Sequence, residues 1–341
     1  MSNFEDLSDE IIISIFEYLT LEEFSSIFGQ LNNRLACIVF DHPWTQHRLN
    51  IQMIAKDEAI EEKIKFINDM KLTSRISAIH IRPHCSYQSI NEFNKRNPLE
   101  NFDKLRALSL NHVTLEEGES IFSPECLSKL KHLARIRLIF SLKIEQNEYC
   151  LRLERLIAQI LIHPSLRHVI LQTARSLDFS QLQLPSPVEY LDIDYCSFQS
   201  LYTLFQFTPS LRHLTATIAI YGESNTQQTP IFPVLNSLKL NLSIPAFDHL
   251  LSFLEKFPKL QKLHIVTYSV IEPLSFTSSW IKLITEHLPV LYKFKRESNV
   301  PLENIEEYIK LFHWLNGWRS IDKSVPNGSN YSRMTVINIR Y

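Results

Sequence analysis

The feature that most constrains this chain is a short aliphatic pattern that recurs from residue 76 to the end of the sequence. An aliphatic residue is followed three and five positions later by two more, as in Ile76, Ile79 and Ile81. Ten copies can be aligned, two of them imperfect, and from 76 to 291 the step averages about 27 residues. Such a period is typical of proteins built from stacked units, which bury their apolar edges only against one another. The later copies begin at Leu105, Leu133, Leu166, Val188, Leu211, Leu235, Leu260, Leu291 and Met334.

Prolines and helical stripes keep the same phase as this pattern. A proline ends a helix and leads the chain into extended backbone, and Phe247, Leu250, Leu251 and Leu254 have helical spacing just before one of them. Each unit is therefore predicted to run strand, loop, helix and next strand, with parallel strands inside and helices outside. We predict an α/β solenoid over 76–341, with a last helix over 303–315 and a last strand over 334–339. The phased prolines, each two residues before a copy, are Pro164, Pro209, Pro233, Pro258 and Pro289.

The residues between the last two aliphatic positions are predicted to form the inner face of this solenoid. Side chains alternate between the two faces of a strand, so these residues point away from the aliphatic core. The row leans basic and includes aromatic neighbours, which suits an acidic or phosphorylated partner segment. A merely solvated sheet face is the other interpretation. The predicted partner-binding residues are His80, Ser109, Arg137, Tyr190, Asp192, Thr215, Lys239, His264 and Lys295, with His213, Lys262 and Lys293 among their neighbours.

Residues 1–50 are predicted to hold three short helices. Ser8 can cap the first helix, and Thr20 with Glu23 has the spacing of a capping box that opens the second. The third is expected to end before Pro43. So small a unit has more apolar residues than its own core needs. The surplus either packs on the rest of the chain or forms a docking face for another protein's helices.

This N-terminal stretch resembles an F-box, the module that binds a Skp adaptor and so joins a cullin–RING ubiquitin ligase. The positions that match the family's signature are Leu7, Ser8, Glu10, Ile11, Ile12, Ile15, Phe16, Tyr18, Leu19, Glu23 and Phe24. The match covers about 40 of the 341 residues, and Ser8 stands where the family has proline. The resemblance implies an adaptor-binding face made of Leu7, Ser8, Glu10, Ile11, Ile12, Ile15, Phe16, Leu19, Phe24 and Leu31.

The repeat itself resembles leucine-rich repeats of the irregular kind that follow F-boxes. The copy that starts at Val188 keeps the family's final cysteine, Cys196, whereas most copies lack it. A non-repeating α/β domain with coincidental spacing is the alternative. The sequence thus divides into an F-box-like helical domain over 1–50, a connector helix over 51–75 and the leucine-rich-repeat-like solenoid over 76–341.

Composition excludes several classes of function. Five glycines in 341 residues, none close to another, cannot form the loops that cradle phosphates in nucleotide-binding proteins. Thirty-five basic against 37 acidic residues give no basic excess for nucleic acid. His80, His84 and Cys85 are the closest cluster of metal-ligating types, but a strand and its exit loop do not bring them together as HExxH does on a helix. We predict no cofactor, no metal and no catalytic residues.

These patterns together predict a non-catalytic adaptor. Its partners would be a Skp adaptor, through it a cullin–RING ligase, and a substrate protein held by the solenoid. The acidic N-terminus lacks a signal-peptide pattern, and no apolar run is long enough to span a bilayer, so we expect a cytoplasmic or nuclear protein without membrane contact. The alternatives are a scaffold without a ligase role and, less favoured, an α/β enzyme or small-molecule binder.

Overall fold

A computed structural model describes most of the repeat region and short parts of the remainder. The chain divides into two compact units, Met1–Ile170 and Leu171–Tyr341, and the division falls within one strand, so each unit is described by itself. The residues described are 7–16, 47–53, 72–83, 89–141, 147–220, 232, 234–242, 247–267, 282–301, 318–324 and 331–339.

The first unit alternates strands with helices or short turns. Its strands β1 to β4 pair in parallel and in chain order. Single turns of 3₁₀ helix at Leu72–Arg75 and Leu99–Asn101 precede β2 and β3. Its elements are α1 Asp9–Phe16, β1 His47–Met53, β2 Ile76–Pro83, α2 Ser89–Arg96, β3 Ala107–Val113, α3 Leu115–Ile121, α4 Pro124–Lys129, β4 Arg135–Phe140 and α5 Asn147–Leu161.

The second unit continues the same alternation and then departs from it. Strand β5 contains the division between the units, strands β6 to β10 pair in parallel in chain order, and β10, β12 and β11 pair antiparallel. A short π-helical turn, Leu283–His287, precedes β10. Its elements are β5 His168–Leu177, β6 Tyr190–Ser197, α6 Phe198–Phe207, β7 His213–Ile220, β8 Ser237–Leu242, α7 Phe247–Leu254, β9 Lys262–Thr267, β10 Lys293–Pro301, β11 Trp318–Ser324 and β12 Tyr331–Ile339.

The aliphatic pattern forms the core of each unit, as predicted. In the first unit Ile79, Leu108 and Ile136 are register partners and are buried. In the second unit Leu214, Leu238 and Leu263 occupy the same place in the pattern and are also buried. Aliphatic residues at matching positions thus stack from strand to strand, which is how neighbouring units remove each other's apolar edge from water.

Backbone hydrogen bonds between the turns reinforce this stacking. The carbonyl of Arg212 accepts from the N–H groups of Asn236 and Ser237, at 2.9 and 3.0 Å. One unit later, the carbonyl of Asn236 accepts from Gln261 and Lys262 at 2.9 Å each. The turn before each of these strands therefore ties its own backbone to the preceding turn, and buried backbone groups are satisfied without glycine.

The expectation that the strands are parallel throughout is wrong at the C-terminal end. β12 lies where a last strand over 334–339 is predicted, but it runs antiparallel to both of its neighbours. Only residues 325–330 separate β11 from β12. A parallel pair needs a crossover of a dozen or more residues, so a connection this short permits only the antiparallel arrangement. The predicted helix over 303–315 lies outside the described residues.

Strand β1 is not predicted from the sequence. It spans the predicted boundary at residue 50 and pairs with β2, with Leu49 opposite Ile79 and Ile51 opposite Ile81. Leu49, Ile51 and Met53 alternate with polar residues, which is a strand signal that does not share the spacing of the repeat. Of the predicted connector helix, residues 54–71 lie outside the described residues.

Candidate functional site

The sheet of the second unit carries two rows of side chains on the face opposite its aliphatic core. Each strand from β6 to β10 contributes two residues, because the buried residue between them points the other way. All ten side chains are partly or largely exposed. The first row is Tyr190, His213, Ser237, Lys262 and Lys293, and the second row is Asp192, Thr215, Lys239, His264 and Lys295, each in strand register.

These rows line a groove of about 380 Å³. The lining includes nine of the ten row residues, all except Asp192. It also includes Leu214, Leu238 and Leu263, the buried residues that separate the two rows on β7, β8 and β9. Among the residues that the structure describes, four lysines and two histidines line the groove, and no aspartate or glutamate does. The whole chain has a net charge of −2, so this basic groove concentrates positive charge that the composition alone does not reveal.

The titration of His213 reports the electrostatics of the basic groove. Burial lowers the pKa of this imidazole below its usual value, and the positive charges of Lys262 and Arg212 lower it further, against a smaller opposing effect of Glu189. The ring of Tyr190 lies 6.0 Å from that of His213, centroid to centroid. The imidazole is therefore harder to protonate than in water, chiefly because it is buried and further because Lys262 and Arg212 are positive.

Acidic side chains lie on β6, the strand at one end of the two rows. Burial raises the pKa of the Asp194 carboxyl above its ordinary value, and the charge of Asp192 raises it further. The register between β6 and β7 shifts at this point, between Ile193 and Tyr195. Charge on the face therefore changes from negative at β6 to positive at β8, β9 and β10.

The predicted row also forms in the first unit, with a different composition. His80, Ser109 and Arg137 are register partners on β2, β3 and β4, and all three are half-buried. Asn50 of β1 extends the row by one residue. Each unit thus places its own share of the predicted row on one face, and the lysines belong to the second unit.

Most of the basic groove follows from the sequence, and one member does not. Ser237 lines the groove, and no pattern in the sequence singles out a serine. It occupies the same place before a buried leucine as His213 and Lys262, so the repeat register is the signal that identifies it.

Helix α1 presents part of the predicted adaptor-binding face. Its first backbone bond runs from the N–H of Ile12 to the carbonyl of Ser8 at 3.1 Å, which fits Ser8 as the residue before the helix. Ile12 is 0% exposed, whereas Ile11 is 49% exposed. Ser8 and Glu10 are exposed as well, and Leu7 and Ile15 are half-buried.

The remaining residues of the predicted adaptor-binding face are not described. The side chain of Phe16 and the whole of Leu19, Phe24 and Leu31 lie outside the described part of the chain, as do the two further predicted helices. The described part of the predicted adaptor-binding face therefore runs from Leu7 to Ile15.

Two observations on the described residues concern catalytic and metal chemistry. Cys196 is buried, and burial raises the pKa of its thiol far above the usual value, so it packs in the core and is not a thiolate nucleophile. No group of three histidine, cysteine or acidic side chains in the described ranges is placed to hold a metal ion. Among the helices that the structure describes, none has the length and apolar character that a membrane span requires.

Comparison with known proteins adds no family assignment. No family model matches the chain, and no curated protein gives a significant match. The resemblances to an F-box and to leucine-rich repeats therefore depend on the residues of this sequence alone.

Proposed function

We propose that this chain is a non-catalytic adaptor that holds a substrate protein in the basic groove and docks a Skp adaptor through its N-terminal helices. Through that adaptor it joins a cullin–RING ubiquitin ligase in the cytoplasm or nucleus. Its contribution to the reaction is proximity, since tethering raises the effective concentration of substrate lysines near the ligase's ubiquitin-charged partner.

The observation that carries the binding half of the proposal is the basic groove. It spans five strands, and neighbouring strands lie about 4.8 Å apart, so it is roughly 19 Å across. Pockets for small molecules enclose most of their ligand. A shallow face of half-exposed side chains suits an extended protein segment instead, the kind of partner that repeat proteins bind on their sheet face.

The docking half of the proposal is supported by helix α1. Ile12 is buried, and Ile11, one position earlier, is about half exposed to water. An exposed isoleucine beside the exposed Glu10, at positions that match the F-box signature, is what a partner helix would cover.

Co-expression with a Skp adaptor tests the docking half. We expect the wild-type chain to co-purify with the adaptor and Ile11→Asp to bind at least tenfold more weakly, because the charge must lose water on docking. Ile11→Leu is the matched control and should bind as the wild type does. Both variants should unfold at the wild-type temperature, since Ile11 adds little to the core. Failure of the wild-type chain to bind would reject the ligase role, and equal binding by Ile11→Asp would reject this face.

A second candidate function is a scaffold without a ligase role. The basic groove lies wholly in the second unit and α1 in the first, so each has its own binding residues. A chain that binds a partner in the groove and never binds a Skp adaptor would be such a scaffold.

A further inference from the structure

Positive charge in the basic groove lies at one end of it. Strands β8, β9 and β10 contribute Lys239, Lys262, His264, Lys293 and Lys295. The other end offers Tyr190 and Thr215, and Asp192 stands beside Thr215 in register at its border. A ligand in this groove therefore meets a charge gradient along its length.

Cationic residues occupy paired positions on adjacent strands of the groove. Lys262 and Lys293 are register partners on adjacent strands, and His264 is likewise the partner of Lys295. Adjacent strands are about 4.8 Å apart, and like charges at paired positions destabilise a sheet. Among the residues that the structure describes, no acidic side chain pairs with Lys239 or Lys293. Anions supplied by a ligand would remove this repulsion.

The chemistry of these cations distinguishes between kinds of anion. The described part of the groove lining contains no arginine. Arginine is the residue that grips a single phosphate or carboxylate with two parallel hydrogen bonds, whereas lysine acts as a point charge. Lysines spread over three strands suit several separate anions better than one tightly held phosphate.

We infer that the basic groove binds an acidic segment of a partner protein, with several aspartate or glutamate carboxylates over β8, β9 and β10 and an uncharged or aromatic end over Tyr190 and Thr215. Asp192 disfavours carboxylates at the β6 end, so the gradient also sets the direction in which the segment lies. The inference rests on the proposed function, because it names the class of substrate that the adaptor would hold.

Peptide binding to the full-length chain tests the inference without any Skp adaptor, so its outcome is independent of the docking experiment. The probes are fluorescently labelled peptides of equal length: one rich in glutamate, one rich in lysine, and one neutral with a single phosphoserine. Fluorescence anisotropy should show binding of the glutamate-rich peptide only. The affinity should fall as salt is raised from about 0.05 to about 0.5 M, because the contacts are ionic.

Two lysine variants locate the site. Lys293→Glu, inside the basic groove, should weaken binding of the glutamate-rich peptide at least tenfold. Lys259→Glu changes the net charge equally at an exposed position outside the groove, and should bind within about twofold of wild type. The double variant Lys262→Glu with Lys293→Glu should bind the lysine-rich peptide instead, a gain that misfolding cannot produce.

Four results would overturn the inference. They are no binding of the glutamate-rich peptide, tighter binding of the singly phosphorylated peptide, equal loss in Lys259→Glu, and displacement of the glutamate-rich peptide by duplex DNA at equal charge concentration. The last would identify the groove as a site for polyanions in general.

Discussion

The two units set their side chains at the same register positions but differ in the chemistry they place there. On the sheet face, the first unit offers Ser109 beside Arg137, whereas the second offers Lys239 beside His264 and Lys295. The aliphatic residues that bury each strand are alike in both. The comparison teaches that the repeat fixes where a face residue lies, while binding depends on residues that the repeat leaves free to vary.

The helix sides of the units differ as well. In the first unit, polar contacts connect the helices: Arg152 of α5 donates from Nε to Oε1 of Glu119 at 3.0 Å, and a capping box opens α3. In the second unit, phenylalanines of α6, α7 and the turn after α7 pack together, with Phe253 at 4.9 Å from both Phe198 and Phe257, centroid to centroid. Both helix layers bury apolar side chains, and the first adds polar contacts between its helices where the second adds packed aromatic rings.

The largest effect is expected from the aromatic layer. Phe253→Ala should lower the free energy of unfolding by about 3–5 kcal/mol, because it leaves a cavity among rings that do not close around it. Phe253→Leu, which keeps most of the volume, should cost less than half as much. Urea unfolding followed by circular dichroism measures both. Equal losses in the two variants would mean that volume does not govern this layer.

A smaller effect is expected from the polar layer of the first unit. The Thr114 hydroxyl accepts from the Glu117 N–H at 3.2 Å, and the Glu117 carboxylate accepts from the Thr114 N–H at 2.9 Å. Thr114→Ala removes the first of these bonds and should cost about 1 kcal/mol. Thr114→Ser keeps the hydroxyl and should cost a few tenths at most, measured by the same unfolding curves. A serine variant as unstable as the alanine variant would assign the effect to the lost methyl group instead.

The smallest expected effect is a change in the pKa of one histidine, and it distinguishes the electrostatics of the two units. Burial lowers the pKa of His163 in the first unit, while His213 in the second unit is lowered by burial and then by Lys262 and Arg212. Lys262→Ala should therefore raise the pKa of His213, leaving it still below the ordinary value because burial remains, and should not move that of His163. Titration of both imidazoles by NMR checks this. An unchanged His213 would show that the charge of Lys262 does not reach it.

The sequence predicts the repeated strands with their buried and exposed rows, and these are confirmed for the parallel strands of the described residues. The last copy is wrong in phase, because the register sets the aliphatic Ile337 of β12 opposite Lys295 of the exposed row and not opposite the buried Phe294. The sequence does not predict β1, since a strand of seven residues with three alternating apolar positions falls outside the spacing of the repeat. The sequence predicts that the lysines lie on one face of the sheet. It does not predict that they gather at one end of the groove, with neutral and acidic residues at the other end. That distribution depends on which strands are neighbours, and neighbouring strands are about 25 residues apart in sequence.

By itself, the sequence determines the local alternation, because the side of a strand that a residue faces depends only on its position in that strand. It also determines that helix α1 begins after Ser8. Tertiary structure decides the direction of the last strands, the burial of Ile12 with the exposure of Ile11, and the assembly of the basic groove from separate strands. These features depend on contacts between residues far apart in the chain, and the local spacing of residues does not determine those contacts.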